Sequence, residues 1–194
     1  MRILIFSDLH GDYKRAEEIK AIWEEGNFDS IFLLGDILYH GPRNDLPPFY
    51  CPKKVIPILS ELRDYITAVR GNCDAEVDQM VLPFNILDER KIVEVDGRRI
   101  LLHHGHHETD TSTVSVVMSG HTHVPVLEEK DGILYRLHHH SKEWLQAILR
   151  CLGRRQNFNH RPRRRTHSQG MEIASPHILS HFPPRWIPFL YEAP

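Results

Sequence analysis

Two rhythms of apolar and polar positions divide the chain. Residues 2–7 are an apolar run of strand length that ends at Asp8. Residues 13–25 place Ala16, Ile19, Ile22 and Trp23 on one face at helical spacing, and Gly26-Asn27 is a helix stop. Phe28 to Leu34 reads as a second buried strand, ending at Gly35-Asp36. A Pro-rich polar loop over 39–52 precedes a predicted helix over 53–63, with Pro57 near its first turn. Tyr65 to Arg70 is a third strand, ending at Gly71-Asn72. Three strands linked by two helices predict a βαβαβ unit. Its sheet is parallel, and its polar residues gather at the carboxyl edge.

Past residue 80 the rhythm shortens. Strands are predicted over 91–95, 99–103, 114–118, 124–129 and 132–137. Asp96-Gly97 and Asp131-Gly132 have the composition of hairpin turns. A second, mainly antiparallel sheet packed on the first follows from this pattern, giving an α/β fold. No internal repeat is present.

At residue 138 the pattern stops. Residues 138–194 contain no Asp, no Val, six prolines and the run Arg161-Pro162-Arg163-Arg164-Arg165. They carry nine Lys and Arg against three acids, whereas 1–137 carry 15 basic against 23 acidic residues. Only 143–152 is briefly amphipathic. The chain therefore divides into a domain over 1–137 and a basic tail over 138–194. An out-of-frame reading of the gene's end accounts for the tail; an evolved basic tail and a fused segment are the alternatives. The basic run is the one feature that points to nucleic acid, and it lacks an interleaved aromatic platform.

Composition narrows the class. A chain of 194 residues suits one domain with a sizeable core. No apolar run approaches the roughly 20 residues of a membrane span. The opening segment is too short and too soon acidic for a signal peptide. Cys51, Cys73 and Cys151 are odd in number and unpaired in spacing, which fits a reducing compartment. These features predict a cytoplasmic protein. The 15 histidines bear on metal binding only where they fall in ligand-like patterns.

Several do. Five motifs occur in order: Asp8-Leu9-His10, Gly35-Asp36, Gly71-Asn72-Cys73-Asp74, His104-Gly105-His106 and Gly120-His121-Thr122-His123. Singly, each has a bland reading as a turn or cap. His121 and His123 say more, because alternate residues of an extended segment share a face. The set is specific, since the first three motifs directly follow predicted strands. Asp, Asn and His form a mixed oxygen and nitrogen donor set, suited to Mn²⁺, Fe²⁺ or Zn²⁺ rather than Ca²⁺. Asp36 can bridge two cations, and a pair about 3.5–4 Å apart can clamp a phosphoryl group and acidify a shared water. The ligands must be neutral His and ionised Asp, so occupancy should fall in acid.

The five motifs resemble the calcineurin-like metallophosphoesterase superfamily. The stretches 34–44 and 69–80 are similar to the small bacterial and archaeal phosphodiesterases of the YfcE type. The resemblance covers 1–137. It implies a four-layer α/β/β/α sandwich, a small phosphodiester substrate and hydrolysis by a two-metal-activated hydroxide. It also implies that Asp8, His10, Asp36 and His123 bind one metal, and that Asp36, Asn72, His104 and His121 bind the other. Mn²⁺ is the expected ion, with Fe²⁺, Zn²⁺ and Ni²⁺ as alternatives. The competing reading is a catalytically impaired binding scaffold of the same fold. Whether the protein self-associates is left open.

Besides Asp36, Asn72 and His104, the candidate catalytic residues are Cys73 and Arg43. Cys73 stands where many superfamily members have a His that can protonate the leaving oxygen, and the YfcE-like subgroup shares the cysteine. It fits substrates with good leaving groups, or is simply a small packing residue. Arg43 reaches the phosphoryl oxygens as a forked donor or remains a solvated loop residue, and His40 shares its loop. Asp74 either orients a ligand or caps a turn. His103 should point away from the site, His106 could line it, and His107 should face solvent. Two departures stand out. The segment between His104 and His121 is short, which predicts exposed apolar surface and a loosened His104. The terminal strands expected after Leu137 are missing.

Overall fold

The computed structural model describes residues 1–137 apart from Pro125 and Asp131, and without the side chains of residues 126, 127 and 134–137. The expectations for 138–194 lie outside the described residues. These include the tail's basic run, its amphipathic stretch and the out-of-frame reading.

Strands β1 (Ile3–Phe6), β2 (Ser30–Leu33) and β3 (Ile66–Ala68) form a parallel sheet in that order. Helices α1 (Tyr13–Glu25) and α2 (Pro52–Glu61) connect them, as the periodicity predicts. Asp12 caps α1 by accepting from the N–H of Lys14 at 2.9 Å and of Arg15 at 3.3 Å. Pro52 opens α2, where its missing N–H costs nothing, and Pro57 lies inside the helix.

Alternation along the strands separates two cores. Leu4, Phe6, Ile31 and Leu33 pack with Ala16 and Ile19 of α1 and Val55 and Leu59 of α2. Ile3, Ile5, Phe32 and Leu34 face the other way and meet Val95, Ile100, Leu102, Val116 and Met118. Both faces of the parallel sheet are thus buried, which is why its strands read as continuous apolar runs.

The second sheet contains β4 (Arg90–Val95), β5 (Arg98–His103), β6 (Val116–Ser119), β7 (Val126–Lys130) and β8 (Ile133–Leu137), in the order β4-β5-β6-β8-β7. It is mixed, not mainly antiparallel. β4–β5 and β7–β8 are antiparallel hairpins, but β5–β6 and β6–β8 are parallel. Tight turns reverse the chain, whereas the longer links from β5 to β6 and from β6 through β7 to β8 restore its direction. Asp96 and Gly97, both at positive φ, make the first hairpin turn as expected. A single-turn helix, α3 (Glu76–Gln79), was not predicted. All the described helices precede β4, so the helices of the expected outer layer are not among the described residues.

The short 104–121 segment has only part of the expected consequence. Leu101, Val114 and Val117 form a third buried cluster, and Ile133 packs against it. Ile92, opposite Leu101 in the register, is an exposed apolar residue on that face. His104 is fully buried, not loosened.

Candidate metal centre

Each motif follows the carboxyl end of a strand: β1, β2, β3, β5 and β6 in turn. The local backbone is strained there. Asp8, His10, Asp36, His121 and His123 all have φ between 47° and 71°. Each costs about 1 kcal/mol or more for a residue with a Cβ. Cross-links between the first two motifs hold this geometry: Asp8 N–H donates to Gly35 O at 3.0 Å and His10 N–H to Asp36 O at 2.9 Å. Two glycines permit close approach. A Cβ on Gly71 would run into Asp36 Oδ1 and its amide nitrogen, and one on Gly120 into Ser7 Oγ and Asp8 Oδ2.

Two buried carboxylates divide their oxygens in the same way. Asp8 Oδ2 accepts from His121 N–H at 3.1 Å. Its Oδ1 lies 3.3 Å from His123 Nε2 and 3.9 Å from Nε2 of both His10 and His104. Asp36 Oδ1 accepts from Cys73 N–H at 2.8 Å. Its Oδ2 lies 3.7 Å from His10 Nε2 and 3.4 Å from His104 Nε2. One oxygen of each carboxylate is therefore committed to the backbone, and the other faces imidazole nitrogens.

The imidazoles are oriented to offer lone pairs. Carbonyl oxygens only accept, so His10 Nδ1–H donates to Tyr39 O at 2.9 Å and His104 Nδ1–H to Leu34 O at 2.6 Å. Each neutral ring then presents an unprotonated Nε2 to the cluster. His104 Nε2 also lies 3.1 Å from Asn72 Oδ1, another acceptor. Asp8 Oδ1 and His10 Nε2 are buried without any hydrogen-bond partner. Electron-pair donors packed this closely require positive charge among them. The donor set falls into three overlapping groups with ligand reach: Asp8, His10 and His123; His10, Asp36 and Cys73; Asp8, Asp36 and His104. Residues and geometry thus fit divalent cations.

Titration follows from this crowding. Burial pushes the Asp8 carboxyl up, but His123, His104 and Ser7 outweigh it and hold the group at about 2. Burial likewise opposes ionisation of Asp36, and His104 and the Cys73 N–H reverse the balance. Burial lowers His104, but the neighbouring Asp36 and Asp8 carboxylates outweigh it and raise the group, favouring positive charge at this position. His123 is raised chiefly by Asp8, whereas burial lowers His121.

Asp74 resolves between its two readings. It is buried, and it accepts from Asp36 N–H at 2.9 Å, Ile37 N–H at 2.8 Å and Gly71 N–H at 2.7 Å. It caps no helix; it fastens the third motif to the second and sets the position of Asp36. Cys73 is a free thiol whose burial, together with Asp36, pushes it up to about 12, so it remains protonated. Its Sγ accepts from Asn72 Nδ2 at 3.3 Å and reaches the His10 and Asp36 donors. His121 joins through its backbone N–H and a ring contact with His104, centroids 5.1 Å apart, while its ring is outside the three donor groups. His106 lies 5.4 Å from the His104 ring and keeps a buried Nδ1 without a partner, as expected of a residue lining the site. His107 is exposed, and His103 approaches the Thr109 hydroxyl at 3.4 Å. His40 is flanked edge-on by Tyr39 and Tyr50.

Arg43 is exposed and lines a cavity of about 460 Å³ together with Asp8, His10 and His123. Arg15 of α1 lines the same cavity. Sequence reading passed over Arg15, since a helical arginine carries no signal of its own.

A cation-binding cluster at the carboxyl edge of paired sheets defines the class. Residues 1–136 match the calcineurin-like phosphoesterase superfamily domain, and the chain belongs to that superfamily. Within it, the chain is 38% identical over 140 residues to the phosphodiesterase YfcE of Escherichia coli strain K12, covering 70% of this chain and 76% of that protein. It is 27% identical over 146 residues to the phosphodiesterase MJ0936 of Methanocaldococcus jannaschii, covering 69% and 80%. The solved structure of E. coli YfcE superposes with a TM-score of 0.67 at 37% identity, over 71% of this chain and 78% of that one. A novel archaeal phosphodiesterase superposes with a TM-score of 0.54 at 28% identity, over 71% and 82%. Among the described residues no helix is long and apolar enough to cross a membrane.

Proposed function

We propose that this protein is a metal-dependent phosphodiesterase whose catalytic unit is residues 1–137. The carrying observation is Asp36, whose Oδ2 lies 3.7 Å from His10 Nε2 and 3.4 Å from His104 Nε2. Such a carboxylate suits a bridge between two ions. Asp8, His10, Asp36 and His123 would hold one; Asp36, Asn72, His104 and His121 would hold the other, with Mn²⁺ the favoured ion. A pair held there would supply Lewis-acid charge and acidify a water to a nucleophile at neutral pH.

This chain's residues do the positioning. Tyr39 O and Leu34 O fix two imidazoles in the donating tautomer, and Asp74 fixes Asp36. Cys73 holds its proton, sits beside the site and accepts from Asn72. A cysteine here, in place of a histidine acid, supports substrates with acidic leaving groups. The free thiols Cys51 and Cys73 support a reducing, cytoplasmic setting.

Two outcomes are expected. Metal analysis after dialysis against Mn²⁺ should give two ions per molecule; none bound would rule the reading out. Mn²⁺ should stimulate hydrolysis of bis-p-nitrophenyl phosphate, with weaker action on the monoester. A clear preference for the monoester would overturn the diesterase assignment, and metal binding without turnover would favour the scaffold.

A further inference from the structure

We propose that Arg15 and Arg43 form an anion subsite beside the metal centre, so that the preferred diester carries a second negative group on one of its alcohol substituents. The proposal rests on the phosphodiesterase reading. The cavity beside Asp8, His10 and His123 measures about 460 Å³. That is within the range of about 300–1,000 Å³ that takes a whole small molecule, so it has room for a substituent as well as the phosphoryl group. Arg15 enters it from the first turn of α1, and Arg43, Asp45 and Pro47 from the loop after β2.

Both arginines are placed by their surroundings. The Asp12 cap anchors the Arg15 backbone, and Arg15 Nη1 donates to Glu18 Oε2 at 3.0 Å. A guanidinium has five N–H donors, so this bond orients the fork and leaves donors for another acceptor. Arg43 has no ion pair among the described residues, and its loop is clamped. Asn44 Nδ2 donates to His40 O at 2.7 Å, Tyr13 N–H to Phe49 O at 3.2 Å and Cys51 N–H to Gly11 O at 2.8 Å. A fastened loop spares the backbone part of the ordering cost and leaves only that of the Arg43 side chain.

The acids of the cavity differ in availability. Asp8 faces imidazoles, and Asp12 is engaged by two backbone N–H groups. Asp45 alone is exposed and without an ion pair among the described residues, and it is the countercharge that opposes an incoming anion. The ligand class is therefore a diester with a phosphate or carboxylate on its alcohol portion, as in a nucleotide bearing a further phosphate.

The test is a matched pair: thymidine 5′-(p-nitrophenyl phosphate), with and without a 3′-phosphate. The full-length Mn²⁺-loaded protein should show a lower KM for the 3′-phosphorylated diester by at least about fivefold. The double variant Arg15→Gln, Arg43→Gln should abolish that ratio, and Asp45→Asn should widen it, a change of sign that mere disturbance of the loop would not produce. A wild-type ratio near one, or a ratio that survives in the double variant, overturns the subsite while leaving the phosphodiesterase reading intact. Should the wild type hydrolyse neither diester, the phosphodiesterase reading fails. The subsite then stands or falls on calorimetric binding of the same two compounds, where the ratio must appear and vanish in the same variants.

Discussion

Asp36→Asn should lower diester hydrolysis by at least about 100-fold and reduce the Mn²⁺ stoichiometry. Loss of a residue that merely supports a ligand commonly costs 10–100-fold, and Asp36 stands at the junction of both donor groups. Its Oδ2 faces His10 and His104 at 3.7 and 3.4 Å, and a neutral amide offers either a weaker oxygen or an N–H there. Oδ1 serves the fold through the Cys73 N–H, a contact that an amide oxygen can keep. The variant should therefore fold, which separates a damaged site from a damaged protein. Rates within a few-fold of wild type, with two ions still bound, would show that the two-ion mechanism is wrong.

Asp74→Ala should produce the largest loss of stability of any single change near the site. The carboxylate is 3% exposed and satisfies three backbone N–H groups. Leaving three buried donors unpaired costs about 3 kcal/mol or more. Asp74→Asn retains one acceptor oxygen and should fall between wild type and Ala. Urea denaturation in the presence of chelator isolates this effect from metal binding. A loss below about 1 kcal/mol for Ala would show that water replaces the carboxylate. Activity should fall alongside stability, because Asp74 holds the Asp36 backbone.

Different physical causes made parts of this protein legible in advance and left others hidden. The apolar runs at 2–7 and 28–34 announced buried strands, because a parallel sheet covered on both faces needs no polar alternation. Tyr13–Glu25 was legible because its apolar stripe and its terminal glycine agree. The donor residues could be read because each sits immediately past a strand, and strand ends in such sheets converge. Pairing in the second sheet could not be read. Strand residues do not encode which neighbour they meet, and the two legible hairpin turns do not say how the hairpins join, which here is through the parallel pairs β5–β6 and β6–β8.

Some features belong to no local segment. Asp74 was equally a cap or a support until folding placed the amides of Gly71, Asp36 and Ile37 around it. Arg15 gained significance only from a loop almost thirty positions later that closes a cavity around it. The short link between His104 and His121 suggested an exposed face, yet Leu101, Val114 and Val117 are buried. Burial depends on what packs against a face, which residue spacing along that face does not state. The chemistry was thus written in which residues follow which strands, since ligand type and strand ends are local properties. The positions of lone pairs, the support of Asp36 and the partner of each face depend on contacts between residues far apart in sequence, and only the tertiary structure decides those.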